Sequence, residues 1–474
     1  MADSRQPSPR NDRFLEHPPG YRLRRGRNWF FLGLTYASYY LCRYNLSIIA
    51  PELMRDLGLS KSKYGDIQSA RDGAYAIGQF INGLFTDRLG GKQAMTVGAV
   101  GTVLLNLLFG LTSWSNIGWL FFALLLIRLA DGYVQSFGAP GMVKINTAWF
   151  RRRERGSFAG IFGGMIQLGA IGVGQLGRFL ATGFAVPLLF FTITVPKLDW
   201  RYMFFVPPAI VVIVVILMNA LVRNHPEEAG FRIVHDDEDH GDDPHERLHL
   251  RYVFVKITSN PVVWIVAMAY FCTGFVRRAI ESWWVVYLDE AWGAGKGSMA
   301  FIVLVWALPL TAFLGSLGSG IISDKLVSGR RAPVATCLYL GQAVVTAITL
   351  ILLGAGGLSS VWAAVVLLIG ISVTCNATHS ILGTAAAMDL GGRKMAGFAA
   401  GVIDSFQYFG AMLAGSGLGR LLGAAGAGKT AEAPVHAPAE WNLWFASMLP
   451  FGLLGAGLMG YLWFRHRGSG RPGT

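Results

Sequence analysis

Arg43 and Arg277 each stand inside an apolar stretch long enough to cross a bilayer. The stretches read Tyr36-Ala-Ser-Tyr-Tyr-Leu-Cys-Arg43 and Tyr270-Phe-Cys-Thr-Gly-Phe-Val-Arg277. In both, a tyrosine precedes the arginine by seven residues and shares its helical face. Insertion scales put an arginine at a helix centre at about 2.5–3.5 kcal/mol, and such residues face a cavity or a partner. Guanidinium keeps its charge and presents a planar fork of donors that fits phosphate oxygens two at a time. Two such groups at matching places in the chain point to an anion site.

Other polar side chains fall in the same kind of stretch. Tyr36, Tyr40, Arg43 and Ser47 follow one another at steps of three and four and form one polar stripe. Glu281 reaches either Arg277 or Arg278; pairing with Arg278 leaves Arg277 for a ligand, and a structural network of all three is the bland alternative. Asp72 and Gln79 share a face bordered by Tyr75. Asp72 is a candidate to orient an arginine, carry a proton, touch substrate or simply hold two helices in register. Arg71, its neighbour in sequence, is expected to point elsewhere, towards another helix, with snorkelling as an alternative from its place near the outer third. Arg128, Asp131 and Gln135 read as structural, and Gln167 and Arg178 as cavity or access-path residues. Asp404, Gln407 and Tyr408 lie on one face, and His379, with Asn376 a turn away, is the titratable group nearest neutrality within any apolar stretch. Six arginines against four carboxylates leave an excess of two positive charges, which suits a phosphate-like dianion.

The elements that position these groups are helices. The chain has 474 residues, 53% hydrophobic and 15% charged, against roughly 25% charged for a soluble domain. Its 60 glycines suit close helix packing in lipid. Apolar runs near 29–53, 64–86, 93–113, 118–143, 156–183, 202–222, 261–288, 298–322, 332–354, 359–385, 395–423 and 441–464 predict an all-α membrane protein of twelve transmembrane helices. They group as an N-terminal tail (1–28), a six-helix bundle (29–222), an acidic, histidine-rich linker (223–260), a second bundle (261–464) and a C-terminal tail (465–474). Most Lys and Arg residues lie on the tails and on the loops of the same side, while the opposite loops hold 7. That bias places both termini in the cytoplasm and makes the net charge of +13 topogenic rather than a nucleic-acid footprint. The first 28 residues carry no signal-peptide core, so the first span is expected to be an uncleaved anchor. The four cysteines form no disulfide or metal pattern, and no nucleotide-binding or nucleophile motif occurs. No cofactor or metal is expected, and no enzyme activity.

The two halves echo each other. Gly83-Leu-Phe-Thr-Asp87-Arg88-Leu-Gly-Gly-Lys92 closes the second span, and Gly320-Ile-Ile-Ser-Asp324-Lys325 closes the eighth. Parallel six-span repeats with a site at their interface are a transporter architecture. Asp87, Arg88, Asp324 and Lys325 then sit at helix ends where they can gate by holding neighbouring helices in one state, or serve only as helix-end and topogenic charge.

The first of these loops resembles the hallmark loop of the major facilitator superfamily. Tyr36 to Leu46, with Pro51 downstream, is similar to the first span of its organophosphate:phosphate antiporter family, which includes glycerol-3-phosphate and hexose-phosphate carriers. Val276-Arg277-Arg-Ala-Ile-Glu-Ser-Trp283, ending in Tyr287, is similar to the seventh span of that family. Tyr44, Gln79 and Ile166 stand where its glycerol-phosphate carriers have lysine, lysine and histidine. The resemblance implies a phosphate site made by Arg43 and Arg277 and lined by Tyr36, Tyr40 and Tyr408. It also implies exchange of a glycerol or sugar phosphate for inorganic phosphate by alternating access, in a monomer of the plasma membrane (a bacterial inner membrane). Two alternatives stand beside it. One is a proton-coupled carboxylate or organic-anion carrier titrating Asp72, Glu281, His379 or Asp404. The other is a sugar-phosphate receptor of the same fold that transports little.

Overall fold

The structure is a computed structural model that describes residues 18–150, 152–187, 192–231, 255–327, 330–356, 358–425 and 438–466. Its first half comprises α1 (Tyr21–Ile48), α2 (Ala50–Leu57), α3 (Lys61–Leu89), α4 (Gly91–Thr112), α5 (Leu120–Gln135), α6 (Gly138–Trp149), α7 (Arg152–Thr182) and α8 (Val206–Leu221). The second comprises α9 (Pro261–Trp292), α10 (Met299–Leu326), α11 (Arg331–Gly354), α12 (Val361–Ser380), α13 (Ala387–Ala425) and α14 (Asn442–His466). With α2 a short helix and α5 and α6 two parts of one span, these make twelve crossings in two six-helix bundles. The acidic stretch 235–246 of the expected linker, the tails 1–17 and 467–474, and the side chains of Asp87 and Asp324 lie outside the described residues.

Local chemistry explains where the helices start and stop. Ser60, Asn260, Ser298 and Ser360 each accept a backbone N–H of the first turn of α3, α9, α10 and α12, satisfying a donor the helix leaves open. Gly58 and Gly293 end α2 and α9 at φ 59° each, a left-handed conformation natural to glycine. Eight spans are apolar enough to cross a membrane on length and composition. The other four, α1, α3, α7 and α13, are more polar because they carry Arg43, Asp72, Gln167 and Asp404 and their neighbours toward the interior.

Three features depart from the sequence reading. The fourth span breaks at Ser136-Phe137, where the Ser136 hydroxyl accepts from Asn82 Nδ2 at 2.7 Å and donates to Tyr133 O. A short antiparallel hairpin, β1 (Phe184–Pro187) with β2 (Thr192–Val195), follows α7 in the expected loop. The loop expected near 386–394 is helical backbone: a π-helical turn over Ile381–Ala386 leads straight into α13.

The halves meet most tightly at the end away from the termini. Arg55 pairs with Asp289 at 2.7 Å, Lys61 with Glu290 at 2.6 Å, Lys296 with Glu52 at 2.5 Å and Arg420 with Asp66 at 3.1 Å. Tyr64 Oη donates to Ser282 O, and Ser69 Oγ donates to Met412 O. Beneath these bonds α3 and α13 approach backbone to backbone: a Cβ on Gly65 would stand 2.2 Å from Gly415 O. Only glycine permits such a crossing.

Gly65→Val is therefore expected to leave the protein folded but unable to close this end. Spin labels on the exposed K63C and A424C should report a distance distribution shifted outward by several Å. An unchanged distribution would show that the crossing does not depend on the missing side chain.

Candidate functional site

The spacing that placed Tyr36 above Arg43 and Tyr270 above Arg277 builds two similar braces. On α1, the Arg43 guanidinium lies over Tyr40 at 4.8 Å and over Tyr75 of α3 at 4.6 Å, and Tyr36 neighbours the same Tyr75. On α9, Arg277 Nη1 donates to His379 Nε2 at 3.2 Å, and the other ring nitrogen of His379 lies 2.8 Å from Tyr270 Oη. An Nε2 that accepts from guanidinium carries no proton, so the ring is neutral with its proton on Nδ1, donated to Tyr270.

Between the two arginines runs a buried chain of charged groups. Arg43 Nε donates to Gln135 Oε1 at 3.1 Å, and Arg71 Nη2 donates to the same oxygen at 3.4 Å. Arg71 Nη1 and Arg278 Nη2 both donate to Asp72 Oδ1, each at 2.8 Å. Glu281 pairs with Arg277 Nε at 2.9 Å and with Arg278 Nη1 at 3.5 Å. On the other flank Gln135 Nε2 donates to Asp131, which pairs with Arg128 at 2.9 Å. Arg128 in turn donates to the backbone oxygens of Cys42 and Arg43 and so fixes the α1 turn that carries Arg43. Five arginines face three carboxylates in this bonded network, an excess of two positive charges, and Asp404 is a further carboxylate in electrostatic reach of Arg43 and Arg277.

Two expectations are corrected here. Arg71 does not snorkel; its side chain is 1% exposed and bonds its own sequence neighbour Asp72. Adjacent residues normally diverge on a helix, but a long guanidinium stem can fold back when the alternative is an unpaired buried charge. Glu281 does not spare Arg277 by neutralising Arg278. It binds Arg277 more closely, and Asp72 of the other half serves Arg278.

A cavity opens between the halves. Arg277, Glu281, Tyr40 and Gln167 are on its wall, with Tyr44, Ser372 and Asn376 beside them. Arg277 keeps 15% of its side chain exposed, and its Nη2 has no partner among the described residues. Arg43, Tyr36 and Tyr408 do not line this cavity. Arg43 is 4% exposed, screened by Tyr40 and Tyr75, and its buried Nη2 lacks a hydrogen-bond partner among the described residues. Tyr40 and Tyr408 are electrostatic neighbours of both arginines, and Tyr408 stacks against Tyr75 at 4.5 Å. Gln79 reaches toward Asp404. Arg178 lies over Phe179 at 4.8 Å, close to the end of α7. Arg88 and Lys325 are exposed at the termini end.

Sequence reasoning missed Tyr44 as a cavity residue and the whole apolar part of the wall, which includes Ile280, Trp284, Leu304 and Val305. An apolar residue facing a cavity reads in sequence like one facing lipid. The only available signal was the face shared with Arg277, which places Ile280, Glu281 and Trp284 beneath it at steps of three, four and seven.

Residues 32–415 match the Major Facilitator Superfamily. The chain is 26% identical over 422 residues to a probable hexose phosphate transport protein of Chlamydia muridarum, covering 85% of this chain and 86% of that one. It is 28% identical over 425 residues to the glycerol-3-phosphate transporter of Bacillus subtilis, covering 86% and 89%. In three dimensions it matches a bacterial homolog of the human lysosomal transporter Spinster with a TM-score of 0.71 at 16% identity, covering 92% of this chain and 96% of that one.

Among the described residues, Asp72 is the one carboxylate shared by arginines of both halves. Removing one partner from a buried pair costs about 3–5 kcal/mol. Asp72→Asn should lower the thermal unfolding midpoint in detergent sharply, and Asp72→Asn with Arg278→Gln should lose less than the sum of the two single changes. Additive losses would mean that the two groups do not act as a pair.

Proposed function

The chain belongs to the Major Facilitator Superfamily, and from that premise we propose that it carries a small organic phosphate monoester across the membrane in exchange for inorganic phosphate. The named cargoes of its relatives, hexose phosphate and glycerol 3-phosphate, set the chemical class. The observation that carries the reading is Arg277: a half-buried guanidinium on the cavity wall with Nη2 unpartnered among the described residues, inside a network two positive charges in excess. Phosphate monoesters are dianions near neutrality and match that excess.

The network also supplies a reason for exchange. An empty site would carry its uncompensated charge through the closed state, where burial is costly. A dianion of either kind cancels it, so reorientation requires an occupant in both directions. On entry the phosphate competes with Glu281 for Arg277. Glu281 then shifts toward Arg278 and competes with Asp72 for it, loosening the buried Asp72–Arg278 ion pair that joins the halves. Tyr40, which stands between the cavity and Arg43, is the side chain that must move for Arg43 to join the ligand. Gln167 is a polar group of the cavity wall beside Arg277, and Asp404 and Gln79 are candidates for coupling. Asp87, Arg88, Asp324 and Lys325 are the gate at the termini end. The excess of basic residues on that side supports a cytoplasmic location for both termini, in the plasma membrane of a bacterial cell.

Arg277→Lys and Arg43→Lys keep the charge and lose the bidentate fork. Each should reduce phosphate–phosphate exchange in proteoliposomes by at least about tenfold, which corresponds to about 1.4 kcal/mol of lost interaction. Normal exchange in both variants would remove the proposed site. Uptake driven by a pH gradient without phosphate on the far side would favour proton coupling instead.

A further inference from the structure

The cavity changes character along its length: on α1, α7 and α9 polar wall residues give way to apolar ones, and the α10 part of the wall is apolar throughout. Taken from the termini end toward the closed end, its wall runs from Tyr40 to Ile48 on α1, from Gln167 to Val173 on α7, from Arg277 to Trp284 on α9 and from Ala312 to Leu304 on α10. Seven residues from Arg277 to Trp284 span about 10 Å of helix. The result is a polar shelf around Arg277 and, beyond it, an apolar chamber sealed by the closed end. Trp284 is held there by Phe301, ring to ring at 5.1 Å.

The few polar side chains near the chamber are engaged elsewhere. Ser47 Oγ accepts from Gln68 Nε2 at 2.9 Å. Ser372 Oγ accepts from Asn376 Nδ2 at 3.1 Å. Cys375 Sγ donates to the Thr273 carbonyl. Glu281, one turn past Arg277 on the wall, is held by Arg277 and Arg278. The Tyr44 hydroxyl, the Gln167 amide and the Asn376 amide oxygen remain open to a ligand, with Tyr44 and Gln167 on the shelf beside Arg277. A hexose phosphate anchored at Arg277 would put several hydroxyls against Ile280, Leu304 and Val305 with no partner for them. Buried hydroxyls without partners are disfavoured, and apolar surface in the same place is favoured.

We propose that the chamber receives the organic part of the carried ester and that this part is apolar, a short alkyl or aryl group rather than a polyhydroxylated sugar. The inference rests on the reading of Arg277 as the phosphate anchor and narrows the cargo within the monoester class. The shelf orients the head: phosphate on Arg277, with Gln167 and Tyr44 in reach of the ester oxygen and of a hydroxyl near it. The chamber then selects by shape and by the absence of hydrogen-bond partners.

The test is competition against labelled inorganic phosphate in proteoliposome exchange, using phenyl phosphate, n-butyl phosphate, glycerol 3-phosphate and glucose 6-phosphate, with phenol as the uncharged control. Phenyl and n-butyl phosphate should compete at concentrations at least about tenfold below glucose 6-phosphate, and phenol should not compete. Val305→Asn should narrow the phenyl phosphate to glucose 6-phosphate ratio by at least about fivefold, a ratio measured within one variant and so independent of how much protein folds. Equal or tighter competition by glucose 6-phosphate overturns the apolar chamber while leaving the phosphate site standing. Competition by phenol as strong as by phenyl phosphate also overturns it, because the head would then contribute nothing. Failure of phosphate itself to exchange is a different result: it removes the anchor at Arg277, and this inference with it.

Discussion

Guanidinium cannot shed its charge to enter lipid, and the centre of this molecule is organised around that constraint. Five arginines share three carboxylates and one glutamine side chain in a network that starts on α1 and ends on α9. Asp72 is its hinge point, because one oxygen accepts from Arg71 of its own helix and from Arg278 of the other bundle. Replacing such a cluster by apolar groups would often stabilise a fold. Its presence here is better understood as a device that makes the relative position of the bundles depend on charge, and therefore on an anion.

The two halves repeat each other in sequence but not in what they offer a ligand. Both arginines are braced by a tyrosine seven residues earlier acting through a side chain from another helix, Tyr75 for Arg43 and His379 for Arg277. Yet Arg277 stands on the cavity wall, and Arg43 lies behind two aromatic rings. The neutral ring of His379 accepts from Arg277 without consuming its charge, whereas Tyr40 and Tyr75 cover the face of Arg43 with π electrons. On the proposed function, one arginine receives the anion first and the other is uncovered afterwards, an order of events that symmetry alone would not supply.

Much of the scaffold was legible from the amino acids. The twelve spans follow from apolar length, because in lipid every backbone group must be satisfied within its own helix, and only runs of roughly twenty residues do that. Arg43, Arg277, Asp72, Glu281 and His379 were legible as special because charge and imidazole inside such runs are rare. Their partners were less so. A helical wheel sends Arg71 away from Asp72 and allows Glu281 either arginine; the choice is made by Asp72 reaching across to Arg278, a contact between residues 206 positions apart. The break in the fourth span was hidden because Ser136 and Phe137 carry no turn signature; it is fixed by Asn82 on a neighbouring helix. The apolar chamber was invisible for a related reason: hydropathy reports that a side chain avoids water, not whether lipid, protein or cargo replaces it.

The closed end shows how a seal can be firm and still open. Two of its ion pairs have largely exposed cations, Arg55 at 64% and Arg420 at 63%, and pairs of that kind contribute about 0–1 kcal/mol each; Lys296, paired with Glu52, is the more buried cation of this end at 6%. Close backbone packing at Gly65 and Gly415 adds contact area but no bond that must break before the helices part. The strong element lies deeper, at Asp72 and Arg278, both almost fully buried. It is also the element within one side chain of the proposed anion site, since Glu281 touches both Arg277 and Arg278. A weak outer seal above a strong inner bond puts control of opening where an anion can act on it. On the proposed function, the energy to separate the bundles is set by competition among carboxylates and phosphate for the guanidinium groups, not by the number of contacts at the rim.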